Sequence, residues 1–149
     1  MNPRRFETAS EEETIAFGRT LARELSPPAA VLLIGNLGAG KTTLAKGIVE
    51  GLGAAAPEEV SSPTFTLIHE YGGDGAPKVY HVDLYRLEEE KQVLGIGLDE
   101  ILDRNAIVLL EWAERFPRLL PTRRIEIRIT PGPQDTRRID VTQIDAAKP

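Results

Sequence analysis

The chain has 149 residues, a net charge of −5 and no cysteine. That length suffices for one domain with a full core, and the missing cysteines exclude disulfides, thiolate catalysis and Cys-ligated zinc. The acidic balance disfavours broad, sequence-independent nucleic-acid binding by the chain alone.

Arg4 and Arg5 near the N-terminus have no apolar stretch behind them, so no secretory signal is expected. No apolar run approaches the ~20 residues of a membrane span. A soluble protein of the cytoplasm, without membrane partners, is the expectation. Ser10-Glu11-Glu12-Glu13 fits the S-x-x-E capping box, and Thr8-Ala9-Ser10-Glu11 also fits it, two residues earlier. A helix should follow to about Leu25, with Ile15, Gly18, Leu21, Ala22 and Leu25 on one face. Ser26-Pro27-Pro28 stops it.

Residues 30–34, Ala-Val-Leu-Leu-Ile, read as a buried strand. Gly35-Asn36-Leu37-Gly38-Ala39-Gly40-Lys41-Thr42 then spells G-x-x-x-x-G-K-T, and residues 43–49 read as a helix ending near 51–53. The pattern stands in its proper strand–loop–helix context, the P-loop. Glycines let successive N–H groups point into one concavity and cradle phosphate oxygens. The helix start adds its positive dipole end. Lys41 would reach the β/γ-phosphates and the Thr42 hydroxyl would hold Mg²⁺.

Residues 57–63 form a polar loop, and 65–71 and 78–85 read as two strands of a long hairpin around the Gly72-Gly73-Asp74-Gly75 turn. Residues 87–94 and 98–102 are short helices broken by Gly95-Ile96-Gly97. Residues 106–110 are a second core strand, followed directly by Glu111 and Trp112. Residues 116–121 are an irregular connection. Residues 124–129 alternate charge and isoleucine as a half-exposed strand does. A turn at 131–135 leads to a last strand, 137–141, and 145–149 should fray. The order gives an α/β fold: a P-loop NTPase, three-layer-like, with a mixed central β-sheet and a C-terminal β-hairpin, all in a single domain over 1–149. Ligands in such sheets sit at the carboxyl ends of the core strands.

A carboxylate closing an apolar strand is the Walker B arrangement, so Glu111 is a candidate for the metal shell or for orienting the attacking water. Trp112 could stack near the site or cover the strand end. Asp83 shares one strand face with His81 and Tyr85; it could bind Mg²⁺ or polarise water, or else pair with Arg86 or cap the next helix. His81 reads as structural. Ser62 or Thr64 could offer the hydroxyl of a nucleotide-sensing switch, or the segment could be a plain Ser/Thr/Pro turn. From residue 115 onward, eight Lys or Arg stand against four Asp or Glu. That excess is either a solvated surface or a docking face for an acidic partner or an RNA-containing assembly.

Four stretches together resemble the TsaE (YjeE) family: 35–43, 62–67, 81–87 and 110–113. The resemblance covers about residues 30–115, with a looser match in the C-terminal hairpin. It implies an ATPase of bacterial tRNA threonylcarbamoyladenosine (t6A) biosynthesis that binds ATP with Mg²⁺ and hydrolyses it slowly alone. Hydrolysis would be stimulated by the TsaD–TsaB heterodimer, which the protein would reset between turnovers, so that tRNA is met only through the complex. Carried over by motif, Lys41 binds phosphate, Thr42 holds Mg²⁺ and Thr43 lies along the phosphates. Glu111 is the second metal-side group, Asp83 is needed for hydrolysis, and 62–66 is switch-like. Asn36 stands where many members have Asp.

Three rivals frame the reading. A small-molecule kinase shares the P-loop but needs an acceptor pocket and usually an arginine-rich lid, which the arginines of 115–128 could mimic. A small GTPase needs an N-K-x-D sequence, and none of Asn2, Asn36 and Asn105 begins one. A nucleotide-gated binding module would hydrolyse little. The segment 6–10 is a candidate edge for the base pocket.

Overall fold

The computed structural model describes residues 3–145. Strands β1 (Arg4–Thr8), β2 (Ala29–Ile34), β3 (Ile68–Tyr71), β4 (Val79–Asp83), β5 (Ile107–Glu111), β6 (Arg123–Pro131) and β7 (Arg137–Asp145) form one sheet. Their order is β1-β7-β6-β2-β5-β4-β3. The four central strands are parallel, β2 pairing with β5 and β6, and β4 with β5. The outer pairings β3–β4, β6–β7 and β1–β7 are antiparallel. The sheet is therefore mixed, and the chain has the α/β P-loop architecture.

Helices α1 (Glu11–Ala22) and α2 (Lys41–Gly51) cover one face, over Val31, Leu33, Leu109, Ile127 and Ile139. Helices α3 (Glu90–Gly95) and α4 (Leu98–Leu102) cover the other, over Leu32, Val82, Val108 and Leu110. Burial on both faces is why β2 and β5 are unbroken aliphatic runs. Strand β6 is covered on one face only, burying Ile127 and Ile129 while Arg128 stays exposed. Helices α1 and α2 touch backbone to backbone: a Cβ on Gly47 would stand 2.1 Å from the Ile15 carbonyl oxygen.

Helix α1 starts where the capping box placed it, with a shifted partner. Ser10 Oγ accepts from Glu13 N at 3.1 Å, while Glu13 Oε1 accepts from Ala9 N at 2.8 Å. The helical face is Thr14, Gly18, Leu21 and Ala22; Ile15 is only half buried.

Several expectations are corrected. Strand β1 falls in a segment to which the sequence reading assigned no element. Its Phe6 packs on Phe17 with ring centroids 4.7 Å apart, and it borrows its register from β7. The expected strand over 65–71 exists only from Ile68, because 64–66 form a turn and Leu67 takes φ 71°. Its partner stops at Asp83 rather than 85. The first short helix begins at Glu90, not 87. Strand β7 extends to Asp145, which pairs with Arg123 instead of fraying; residues 146–149 of that expectation lie outside the described residues. No helix among the described residues is long and apolar enough to cross a membrane.

Candidate functional site

Strand β2 ends at Ile34, and residues 35–40 turn into α2. Gly40, its N-cap, takes φ 108°, a left-handed conformation that favours glycine. The cap makes no side-chain hydrogen bond and the first turn of α2 holds no acidic residue. Helix α1 is the opposite case, capped by Ser10 and with Glu11, Glu12 and Glu13 in its first turn. The positive end of α1 is thus answered within the chain, and that of α2 is left to an external anion.

Lys41 opens α2 and is 5% exposed. Its Nζ has no hydrogen-bond partner and lies 3.6 Å from the centroid of the Trp112 ring. Burial pushes its pKa below the ordinary lysine value, against an opposing pull from Glu111, Glu114 and Asp83. A buried ammonium with no acceptor is costly, and a phosphate oxygen would supply one.

Asp83 and Glu111 close β4 and β5 and stand in register on those parallel strands. They share the face that carries α2. Both are almost fully buried, and each is held by neighbours. Asp83 Oδ1 accepts from Tyr85 N at 2.8 Å. Its Oδ2 accepts from Thr64 Oγ1 at 3.1 Å and from Ser62 Oγ at 3.3 Å. Glu111 Oε2 lies 2.5 Å from His81 Nε2. Asp83 therefore does not pair with Arg86, whose guanidinium stacks 4.8 Å from the exposed Phe65 ring. The loop over 61–67 is fastened to Asp83 by three hydrogen bonds, since Asp83 N also donates to the Leu67 carbonyl at 2.9 Å.

Leu37, Gly38, Gly40, Lys41, Thr42, Thr43, Ser62, Thr64, Asp83, Glu111 and Trp112 line one cleft of about 380 Å³. Gly35, Asn36 and Ala39 lie in the same loop but not on that wall; Ala39 is fully buried and its N donates to the Asn36 carbonyl at 3.0 Å. A cavity of similar size, about 390 Å³, lies at the other end of β2 and β6, around Ser26, Ala29, Arg123 and Gln143. It contains none of the predicted site residues. No cluster of three or more His, Asp or Glu side chains among the described residues could alone enclose a metal. Mg²⁺ does not need one: it is commonly bound through one or two protein oxygens plus substrate phosphates. The Thr42 hydroxyl and the Glu111 carboxylate offer those oxygens on one cleft wall.

Known proteins share this chain's sequence pattern and fold. The model of the family "Threonylcarbamoyl adenosine biosynthesis protein TsaE" matches residues 8–139. The chain belongs to the TsaE family. A tRNA threonylcarbamoyladenosine biosynthesis protein TsaE of Bacillus subtilis is 41% identical over 97% of this chain and 88% of its own length. One from Nostoc is 41% identical over 90% of this chain and 82% of its own. The crystal structure of Bacillus subtilis YdiB shares the fold with a TM-score of 0.77 and 36% identity, over 95% of this chain and 86% of that one. As a TsaE family member the chain is a protein of t6A biosynthesis.

Three further residues line this TsaE cleft that the sequence reading gave no role there, Glu11, Tyr85 and Arg137, and Arg115 braces it from outside. Glu11 and Arg137 line the cleft beside the P-loop, and Arg137 Nε donates to the Ala39 carbonyl at 2.8 Å. The segment 6–10 does not line it. Tyr85 stacks on Trp112 with centroids 5.0 Å apart. Arg115 reaches across to the carbonyls of Tyr85 and Leu87, holding together the turns that follow β4 and β5. The C-terminal arginines divide: Arg137 goes to the P-loop and Arg115 to carbonyls, while Arg124, Arg128 and Arg138 share the uncovered face of the β6–β7 hairpin, Arg124 with Glu126 at 2.7 Å and Arg138 with Asp140 at 3.5 Å.

Proposed function

We propose that the chain is a single-domain, Mg²⁺-dependent P-loop ATPase of the cytoplasm. In this reading it binds the TsaD–TsaB heterodimer, hydrolyses ATP when bound and resets the pair for further t6A synthesis, meeting tRNA only through that complex. The observation that carries the reading is the buried, unpartnered Lys41 ammonium at a glycine-turned helix start, facing two strand-end carboxylates. Lys41 and the N–H groups of 38–43 bind the phosphates. Thr43 lies along them, and Thr64 faces the γ end of the cleft. Thr42 and Glu111 would hold Mg²⁺, which would supply charge neutralisation for the bound phosphates. Asp83 orients the attacking water and takes its proton. The Ser62 and Thr64 hydroxyls, which bond to Asp83, can exchange that partner for a phosphate and its metal. The 61–67 loop would then report nucleotide state to the bound pair.

The kinase alternative has less support, because only Arg137 of the C-terminal arginines lines the cleft. Titration with ATP and GTP, followed by phosphate release with no acceptor present, tests the choice. The expected result is preference for ATP and slow release of inorganic phosphate. Preference for GTP, or turnover only with an added acceptor, would contradict it.

A further inference from the structure

Three carboxylates act on the Lys41 ammonium, Glu111 first, then Glu114 and Asp83, yet none bonds to it. Glu114 follows β5 in the next turn, off the cleft wall that Glu111 and Asp83 line. Asp83 is engaged elsewhere by Tyr85 N, Thr64 and Ser62. Glu111 is engaged by one side chain, His81, at 2.5 Å.

His81 itself is fully buried, and its Nδ1 has no partner. A contact this short needs a proton between the atoms, and with a carboxylate as acceptor it is the Nε2–H that donates. Placement is set by the sheet: His81 lies two residues before Asp83 on β4, and Asp83 is in register with Glu111. His69, cross-strand from His81, is bonded instead to Thr66 Oγ1 at 2.8 Å. His81 is therefore free of the switch loop and committed to Glu111.

A glutamate beside a desolvated ammonium would ordinarily close on it, since a buried charge pair gains far more than an exposed one. Such a pair would neutralise the cation that the phosphates require. We propose that His81 is a positioning residue: by holding the Glu111 carboxylate through Nε2, it keeps Glu111 off Lys41 and leaves the ammonium free for phosphate. This rests on the reading of Lys41 as the phosphate-binding residue.

The test is ADP affinity without Mg²⁺, in EDTA, followed by the emission of Trp112, the single tryptophan of the chain. Five proteins are compared: wild type, His81→Leu, Glu111→Gln, the double variant and Lys41→Met. His81→Leu should bind about tenfold more weakly, the size of one charge-assisted hydrogen bond. Adding Glu111→Gln should restore wild-type affinity, because a neutral amide cannot neutralise Lys41. Unchanged binding by His81→Leu, or a double variant as weak as His81→Leu, overturns the proposal. If His81→Leu does not fold, His81→Gln and His81→Asn replace it. The Gln amide nitrogen reaches the Nε2 position and should retain affinity. The Asn amide does not reach it and should lose affinity until Glu111→Gln is added; equal binding by the two overturns the proposal. If Lys41→Met binds ADP as wild type does, the phosphate-site reading fails, independently of His81.

Discussion

The Lys41 ammonium faces the Trp112 ring at 3.6 Å and finds no hydrogen-bond acceptor. The aromatic face partly compensates a charge removed from water, and burial still leaves the lysine pKa depressed. The protein therefore releases this proton at lower pH than the unfolded chain does, while a bound phosphate favours the protonated form. Nucleotide affinity should be full below the depressed value. It should fall as pH rises through the window between that value and the higher pKa of the phosphate-bound lysine, by at most about tenfold per pH unit. Isothermal titration with ADP across that window checks it. Lys41→Met should bind weakly and lose this pH dependence.

Asp83 is bonded by Ser62, Thr64 and Leu67 of the 61–67 loop. Asp83→Asn keeps the shape but weakens acceptance from Ser62 and Thr64 and removes the base. Hydrolysis should drop by about a hundredfold or more, with ADP affinity within a few-fold of wild type. Single-turnover phosphate release and equilibrium binding separate the two. Loss of binding in parallel with rate would make Asp83 a structural strand end.

Gly47 is set by the crossing of α1 and α2. A Cβ there meets the Ile15 carbonyl oxygen at 2.1 Å, and backbone cannot step aside as a side chain can. Gly47→Ala should cost at least the roughly 1–3 kcal/mol of an overpacked core. At this size that is a fall of roughly 2–4 °C in Tm per kcal/mol. Thermal unfolding followed by circular dichroism reads it directly.

Ser10 caps α1 through Glu13 N. Ser10→Ala should cost about 1 kcal/mol, which is small beside Gly47→Ala. Ser10→Gly should cost only a few tenths. The same melting curves rank the three, and a Ser10→Ala loss equal to that of Gly47→Ala would contradict the assignment.

Local patterns carried most of the fold into view. The P-loop could be read because its glycines, lysine and threonine are contiguous, and β2, β5 and β6 because aliphatic runs and strict alternation need no partner to be recognised. Glu111 was legible as the close of a strand, while Asp83 was legible only as a carboxylate on a strand face, the strand being expected to run on to Tyr85. What failed was non-local. Strand β1 is short and exists by pairing with β7, so nothing within 4–8 announces it. Arg137 meets a P-loop carbonyl 98 residues away in sequence. His81 finds Glu111 across 30 residues, through a strand register that composition does not encode. The strand expected from Phe65 failed because that loop bends back to Asp83, leaving Phe65 81% exposed.

The central claim is partner-coupled ATP hydrolysis at the Lys41–Asp83–Glu111 cleft. The direct measurement is the rate of phosphate release from Mg²⁺·ATP by the chain alone, with the TsaD–TsaB pair, and with the pair plus tRNA. The account predicts slow turnover alone and a marked rise on adding the pair, abolished by Lys41→Ala. A rate that the pair leaves unchanged, or a rise that survives Lys41→Ala, would contradict it.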